Sequence, residues 1–530
     1  MNEHAQVAVV GSGFAGSLIA RILATQGYSV VLLERGRHPR FAIGESTTPL
    51  ANLSLERMAK RYGLIDLYHL AAHGRWKQRY PSVRGGLKRG FTFYRHHTGA
   101  VLDATERLLV AASPDAFVSD SHWLRADVDH HFVREAVVAG VDYRDCAELS
   151  EAEFGDDGVR LIGRRDDVPF AIAADFVIDA SGPNGFLARQ LGIASGLERT
   201  YTRSGLVFGH FGDVRFMQDV IPDLTPGPFI DDWAAVHHIV DEGWMYSLRF
   251  DHGVVSAGFT LSPRGLASLP TDRVDAATLW RMMLERYPTI AAAFEHATPV
   301  MPIGFVPRIQ HRLTRAVGDR WLLLPHAYAF VDPLFSTGIA WALRAIERVG
   351  QMFETAPAAA PPPRGEMERY GTLIEREADQ IDQLVAGAYV AMAHFDLFAA
   401  QAMIYFATVS YAEARQRMST DPSAAWSGFL GVGDDVCDSM PREALRRLTE
   451  ITGKDGRVGS FAERRGFVQW VRSSIEPRNV VGLADPSRHH LYPVDLDVLI
   501  ESHAKLGMTR DQIIRALPAL RGHPEPSTES

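Results

Sequence analysis

Gly11-Ser12-Gly13-Phe14-Ala15-Gly16 stands between an apolar run, Gln6 to Val10, and a stretch of helical spacing, Ser17 to Gln26. This order constrains the chain more than any other feature. Strand, glycine turn, helix and a further apolar run from Ser29 to Glu34 make a βαβ unit of the dinucleotide-binding kind. The glycines allow the tight turn and let a pyrophosphate approach the helix N-terminus. Glu34 ends the next strand, where a carboxylate accepts hydrogen bonds from both ribose hydroxyls. That choice favours FAD or NAD over NADP, whose phosphate needs a positive group at this place.

The remaining composition sets bounds. With 530 residues, 46% of them hydrophobic, the chain can fill a sizeable core and form two or three domains. Its formal charge of -9 offers no positive field, so a nucleic-acid partner is not expected. Cys146 and Cys437 are far apart and lack CxxC spacing, which argues against a disulfide framework, zinc or an iron–sulfur cluster. Histidine pairs occur at His96-His97, His130-His131, His237-His238 and His489-His490, but adjacent side chains point apart and no carboxylate spacing supports a metal. No metal is predicted. The amino terminus has no basic n-region, and the most apolar later stretch, Leu384 to Val409, is interrupted by His394, Asp396 and Gln401. It reads as a buried or substrate-facing helix, with no membrane span and a cytoplasmic location expected.

Along the chain, strand-like runs fall at Leu87 to Tyr94 and Val101 to Ala111, and an Asp-Ser turn precedes a helix over Trp123 to Ala139. Val141 to Tyr143, Val159 to Ile162 and Phe176 to Ile178 are expected to rejoin the nucleotide-binding sheet. Alternating runs such as Trp244 to Phe250 and Val254 to Phe259 predict an antiparallel sheet across about 195–310, as a substrate-side wall. Arg320 to Leu324 reads as a strand and Gly338 to Phe353 as a helix, followed by an Ala/Pro linker, Ala356 to Pro363. Glu366 to Met418 and Arg442 to Ile451 read as helices. Glu476 to Asp495 is a loop dense in turn formers, a lid or partner surface if it is more than that, and the tail from Gly522 is expected to be disordered. The fold class is therefore α/β: a Rossmann-like FAD-binding domain carrying an antiparallel substrate sheet (1–355), then a helical C-terminal region (364–530).

Segments remote from the first unit choose FAD, because an extended dinucleotide bearing an isoalloxazine needs many contacts. These are the stretch from Arg40 to Pro49 with Gly44, Glu45 and Ser46; Arg125 at the start of a helix; and Asp179-Ala180-Ser181-Gly182-Pro183 after a strand.

The combination of Gly11–Gly16, Ile43-Gly44-Glu45-Ser46-Thr47-Thr48-Pro49, Val177–Pro183 and Phe330-Val331-Asp332-Pro333-Leu334-Phe335-Ser336-Thr337-Gly338 resembles the flavin-dependent halogenases. The similarity spans roughly Met1 to Phe353. It implies that the last stretch, with Asp332, Pro333, Gly338 and Ile339, lies beside the flavin. It also implies that backbone amides at Ser336, Thr337 and Gly338 bind chloride or bromide. Small residues entering a helix present unpaired N–H groups, which suits an anion independently of the resemblance. An N-cap by Ser336 or Thr337 is the simpler alternative.

Lys88, in Gly86-Leu87-Lys88-Arg89-Gly90, matches the lysine of the phenol and pyrrole branch of the family. By that resemblance reduced FAD, supplied by a separate flavin reductase, and oxygen yield a hypohalous acid that Lys88 holds and aims at a small or carrier-bound aromatic. An amine in an apolar tunnel also loses its charge more readily than one in water. Phe335 stands where tryptophan halogenases carry a glutamate, which points away from free tryptophan. Two positions depart from the family: Trp244-Met245-Tyr246 keeps one aromatic of Trp-x-Trp, and Pro325-His326 replaces Gly-Asp, leaving His326 at the place of a ribityl contact. An aromatic hydroxylase of the same fold, or a flavoprotein turned scaffold, are the competing readings.

Overall fold

The computed structural model describes residues 3–356, 361–419, 421–452 and 459–520; residues 357–360 of the Ala/Pro linker and the tail from Gly522 lie outside them. Glu3–Val10 forms the first strand, Phe14–Thr25 the helix and Val30–Leu33 the second strand. Val30–Leu33 is buried throughout, as a parallel strand covered on both faces must be. Parallel pairing runs in the order Trp321–Leu323, Val168–Asp179, Glu3–Val10, Val30–Leu33, Asp142–Arg144. From the first strand the chain goes to Val30–Leu33 on one side and returns later to Val168–Asp179 on the other, so the crevice at its C-terminal end is a topological switch point. Gly158–Arg165 pairs antiparallel on Val168–Asp179 and so extends the sheet as a hairpin.

The second sheet runs Thr298–Pro299, Gly205–Gly212, Val255–Leu261, Gly243–Arg249, Ala235–Val240, Gly90–Arg95, Arg107–Ala111, Leu491–Tyr492. It reaches beyond the expected 195–310. Gly90–Arg95 joins it in parallel with Ala235–Val240, and Leu491–Tyr492 pairs with Arg107–Ala111. Part of the loop expected over 476–495 is thus an edge strand.

A two-stranded ladder connects the sheets. Gly85–Lys88 pairs antiparallel with Asp120–Trp123, setting Lys88 opposite Asp120. The Asp-Ser turn expected ahead of the helix is therefore a strand, and the helix itself is Arg125–Val138. Its ladder partner is more than thirty positions upstream, beyond the reach of any local turn signal. Gly86 lets this ladder approach the Gly243–Arg249 strand closely, because a Cβ there would overlap the Arg249 carbonyl oxygen.

Thr337–Thr355 follows the nucleotide sheet, and Arg364–Ala391 and Phe395–Arg417 pack beyond it in one continuous apolar core. The single helical stretch expected over 366–418 is two helices, parted at Met392–His394. Among the described residues no helix is long and apolar enough to cross a membrane. Arg348 and Glu377, both wholly buried, pin the first two helices together. Arg348 donates to both oxygens of Glu377 at 2.7 and 2.9 Å, and Trp341 Nε1 and the Phe429 amide donate to the same carboxylate. Removing one partner leaves a buried uncompensated charge, so Glu377→Ala is predicted to lose ~3–5 kcal/mol of unfolding free energy. Chemical denaturation checks this; a loss below about 1 kcal/mol, the size of an ordinary substitution, contradicts it.

Candidate active site

The glycine turn is built to let a dinucleotide in. Gly11 sits at φ +97°, and a Cβ on it would lie 2.7 Å from the Ala180 carbonyl oxygen; one on Gly16 would overlap the Gly11 carbonyl. Glu34 Oε2 accepts from the Ser12 amide at 2.9 Å and from Arg40 at 3.1 Å, while Oε1 accepts from the Gly36 amide. Burial alone would raise this carboxyl, but Arg40 and these N–H donors together hold it low. Asp179 closes the facing loop by accepting from the Ser181 and Leu187 amides, each at 2.8 Å, and Gly182 turns at φ +65°.

Arg125 opens its helix beside the turn. Its guanidinium pairs with both oxygens of Asp129 at 2.8 Å, donates to the Ile43 and Gly44 carbonyls at 3.0 Å, and lies 4.8 Å over the Phe14 ring. It thereby clamps the 40–48 loop onto the glycine turn, with Ala15 just beyond Phe14 in the same first helical turn. Glu45 accepts from or donates to His210 at 2.9 Å according to protonation, and Ser46 bridges to His122.

The Phe330–Gly338 stretch forms a left-handed turn into the long helix: Phe335 has φ +68° and Ser336 φ +54°. Non-glycine residues in this region cost of order 1–3 kcal/mol each. The surroundings enforce it. Phe335 stacks on Tyr405 at 4.4 Å, and the Tyr405 hydroxyl donates to the Phe335 carbonyl at 2.8 Å. Ser336 occupies the N-cap position without a side-chain cap bond, so the simple capping role is not what this serine does. Thr337, Gly338 and Ile339 supply the first-turn amides. Pro333 precedes the turn. Asp332 faces the other way: it accepts from the Leu334 amide at 3.0 Å, from Ser204 at 2.8 Å and from Tyr389 at 2.9 Å, and burial raises its carboxyl to about 6. Tyr389 also accepts from Trp244 Nε1 at 3.1 Å, so the retained aromatic of the Trp-x-Trp segment braces this turn through Asp332.

His326 is half-buried, with its Nε2 shielded from solvent. Its Nε2 has no hydrogen-bond partner among the described residues and would lie 2.9 Å from a Cβ on Gly338. Burial, helped by Arg125, drops it to about 3, so a neutral imidazole sits beside the helix entrance. A buried orphan nitrogen here, a cradle closed to any side chain at Gly11 and Gly16, and a carboxylate ending the second strand fit FAD.

Lys88 is buried to 0% exposure. Its Nζ donates to the Thr47 carbonyl at 2.6 Å and stands 4.1 Å over the Phe91 ring. Thr47 is itself fixed by its amide donating to Ser121 O at 3.0 Å and by its hydroxyl accepting from the Ser121 amide at 2.9 Å. Burial pulls the lysine well below the ordinary amine range, and Asp120 opposes it; burial pushes Asp120 up, and Lys88 opposes that. Asp120 lines a cavity of about 170 Å³ with Phe91, Tyr405 and Phe406 among others; Lys88 lies behind this wall, its Nζ over the Phe91 ring. A cavity of ~150 Å³ suffices for benzene, so one aromatic ring fits. Asp120, Tyr405, Tyr389 and Phe406 were not singled out from sequence. Asp120 lies in a stretch that looks like a turn, and the others lie on C-terminal helices with no motif of their own.

An alanine at position 326 removes the orphan nitrogen. His326→Ala is predicted to weaken FAD binding on the order of tenfold, the size of one lost buried hydrogen bond. Fluorescence titration with FAD reads this directly, and wild-type affinity in the variant contradicts it.

Residues 4–223 match the family described as FAD binding domain, and residues 122–398 match the family described as tryptophan halogenase. The tetracycline 7-halogenase of Kitasatospora aureofaciens is 28% identical over 550 residues, covering 98% of this chain and 93% of its own. Monodechloroaminopyrrolnitrin halogenase PrnC of Pseudomonas fluorescens is 30% identical over 344 residues, covering 64% of this chain and 59% of its own. The crystal structure of halogenase PltM in complex with phloroglucinol and FAD superposes with a TM-score of 0.84 at 25% identity, over 92% of this chain and 99% of that one. With a glycine cradle shaped for a dinucleotide and a family match over more than half its length, the chain belongs to the tryptophan halogenase family and is an FAD-dependent oxidoreductase.

Proposed function

We propose that the chain halogenates an electron-rich aromatic of phenol or pyrrole type, free or carrier-bound, with Lys88 receiving and aiming the halogen. The observation that carries this reading is the placement of Lys88, an amine with no solvent exposure whose Nζ lies 4.1 Å over Phe91, a ring that lines a cavity of ring size. Bound reduced FAD, with dioxygen, supplies the oxidising equivalents that turn chloride or bromide into an electrophilic halogen. The first-turn amides of Thr337 and Gly338, with Ser336 uncapped, offer the halide its donors. Gly11, Gly13, Gly16, Glu34, Arg125, Asp179 and His326 hold the cofactor in this reading.

The protein's own groups account for the rest. The Thr47 carbonyl takes one N–H of Lys88 and so fixes where the nitrogen points. Desolvation favours the uncharged amine, whose lone pair can hold a halogen or a hypohalous acid. Phe91, Tyr405 and Phe406 give the cavity an aromatic face against which a ring can pack. Phe335, packed against Tyr405, leaves no carboxylate at the place where tryptophan halogenases carry one. The phenol named in the PltM complex agrees with such a substrate. No second nucleotide motif is evident in the sequence, so a separate flavin reductase supplies the reduced cofactor, and two lone thiols suit the cytoplasm.

Incubation with FAD, a reductase, NADH, oxygen and bromide is expected to give product heavier by bromine. Lys88→Ala is expected to lower that product at least ~100-fold, the scale of a positioned catalytic group, while peroxide release persists. Hydroxylated product from the wild type, or undiminished bromination by the variant, contradicts the proposal.

A further inference from the structure

The cavity walled by Phe91 and Tyr405 is lined by charged side chains that mostly spend their charge on one another. Glu56 takes Arg75 at 2.6 Å and Arg417 at 2.8 Å, and Arg417 also holds Glu413 at 2.9 Å. Asp495 accepts from the Val498 amide at 3.2 Å and from Arg488 at 3.0 Å. Asp120 differs. It is 2% exposed; its Oδ1 accepts from Asn52 Nδ2 at 2.7 Å, and its equally buried Oδ2 has no hydrogen-bond partner among the described residues.

The ladder explains how this oxygen comes to be left over. Lys88 and Asp120 are directly opposed, and opposed residues of an antiparallel pair project to the same face. Yet Lys88 Nζ donates to Thr47 O, and Asn52 satisfies only one carboxylate oxygen. An unpaired buried acceptor is costly, since it has given up its bonds to water without replacement. Chains keep such groups where a ligand completes them. Asp120 lines the cavity together with Phe91, Tyr405 and Phe406, whose ring faces and edges suit a flat apolar body. The missing partner is thus a hydrogen-bond donor attached to an aromatic ring.

We infer that Asp120 Oδ2 anchors the substrate by accepting a hydrogen bond from an O–H or ring N–H of the aromatic to be halogenated. This rests on reading the cavity as the halogenation site. It narrows the substrate class to rings with a free hydroxyl or ring N–H; an aryl ether of the same outline leaves Oδ2 unpaired. A carboxylate accepting from a phenol also shifts electron density toward the ring, which is what an electrophilic halogen requires of its target. Asp120 and Lys88 then divide the work across one ladder rung, the acid holding the ring and the amine holding the halogen.

The test uses full-length enzyme loaded with FAD and two probes, resorcinol and its dimethyl ether, with binding read by calorimetry. Wild type is expected to bind resorcinol about tenfold or more tighter than the ether, the size of one buried hydrogen bond. Asp120→Asn is expected to lose most of that preference, and Lys88→Ala to keep it. Equal binding of the two probes by wild type, no binding of resorcinol, or an unchanged preference in Asp120→Asn overturns the inference. The first two readings need no variant, so they stand whatever the substitution does to folding. Bromination is scored separately. Wild type that brominates resorcinol without an Asp120-dependent preference sinks the anchor and leaves the Lys88 proposal standing. Asp120-dependent binding with no brominated product from wild type does the reverse.

Discussion

The junction at Thr47 holds the molecule's chemistry together. Its amide and hydroxyl are spent on the Ser121 backbone, and its carbonyl accepts from Lys88. One residue of the loop after the nucleotide unit therefore registers the short Lys88 ladder against the FAD-binding domain. The desolvation cost of burying an amine is partly met by that carbonyl and by the Phe91 face, so Lys88 can stay in the interior without an ion pair within contact distance. Loosening the loop would free the lysine to seek water, and the Nζ would lose its fixed direction.

The other end of the site depends on a different constraint, the left-handed turn at Phe335 and Ser336. Neither residue favours that conformation, and Tyr405, Tyr389 and Asp332 hold it from outside the turn. The helices after residue 364 are thus part of the site, since they supply the tyrosines that fix the turn and one side of the cavity wall. A continuous core from the nucleotide sheet into those helices makes this possible.

What could be read from sequence was what is local. The βαβ unit announces itself within a few dozen residues because turn, helix start and acid are all set by short-range geometry, and the Phe330–Gly338 and Lys88 motifs are compact. The role of Asp120 was hidden because its strand pairs with residues more than thirty positions away, and an Asp-Ser pair in isolation has the composition of a turn. Leu491–Tyr492 reads as loop for the same reason: two residues become a strand only against Arg107–Ala111. Asp332, taken as a flavin contact by resemblance, spends its carboxylate on Leu334, Ser204 and Tyr389; those partners come from three parts of the chain that no spacing rule connects.

The central claim is that Lys88 is a dry amine, not a solvated ammonium. Lysine is sparse in this sequence, so nitrogen-detected NMR of 15N-lysine protein, assigned with a Lys88→Met variant, can follow the Lys88 Nζ as pH is raised. The account predicts that this one nitrogen titrates clearly below the ordinary lysine value of about 10.4. A Lys88 resonance that titrates with the surface lysines would contradict it.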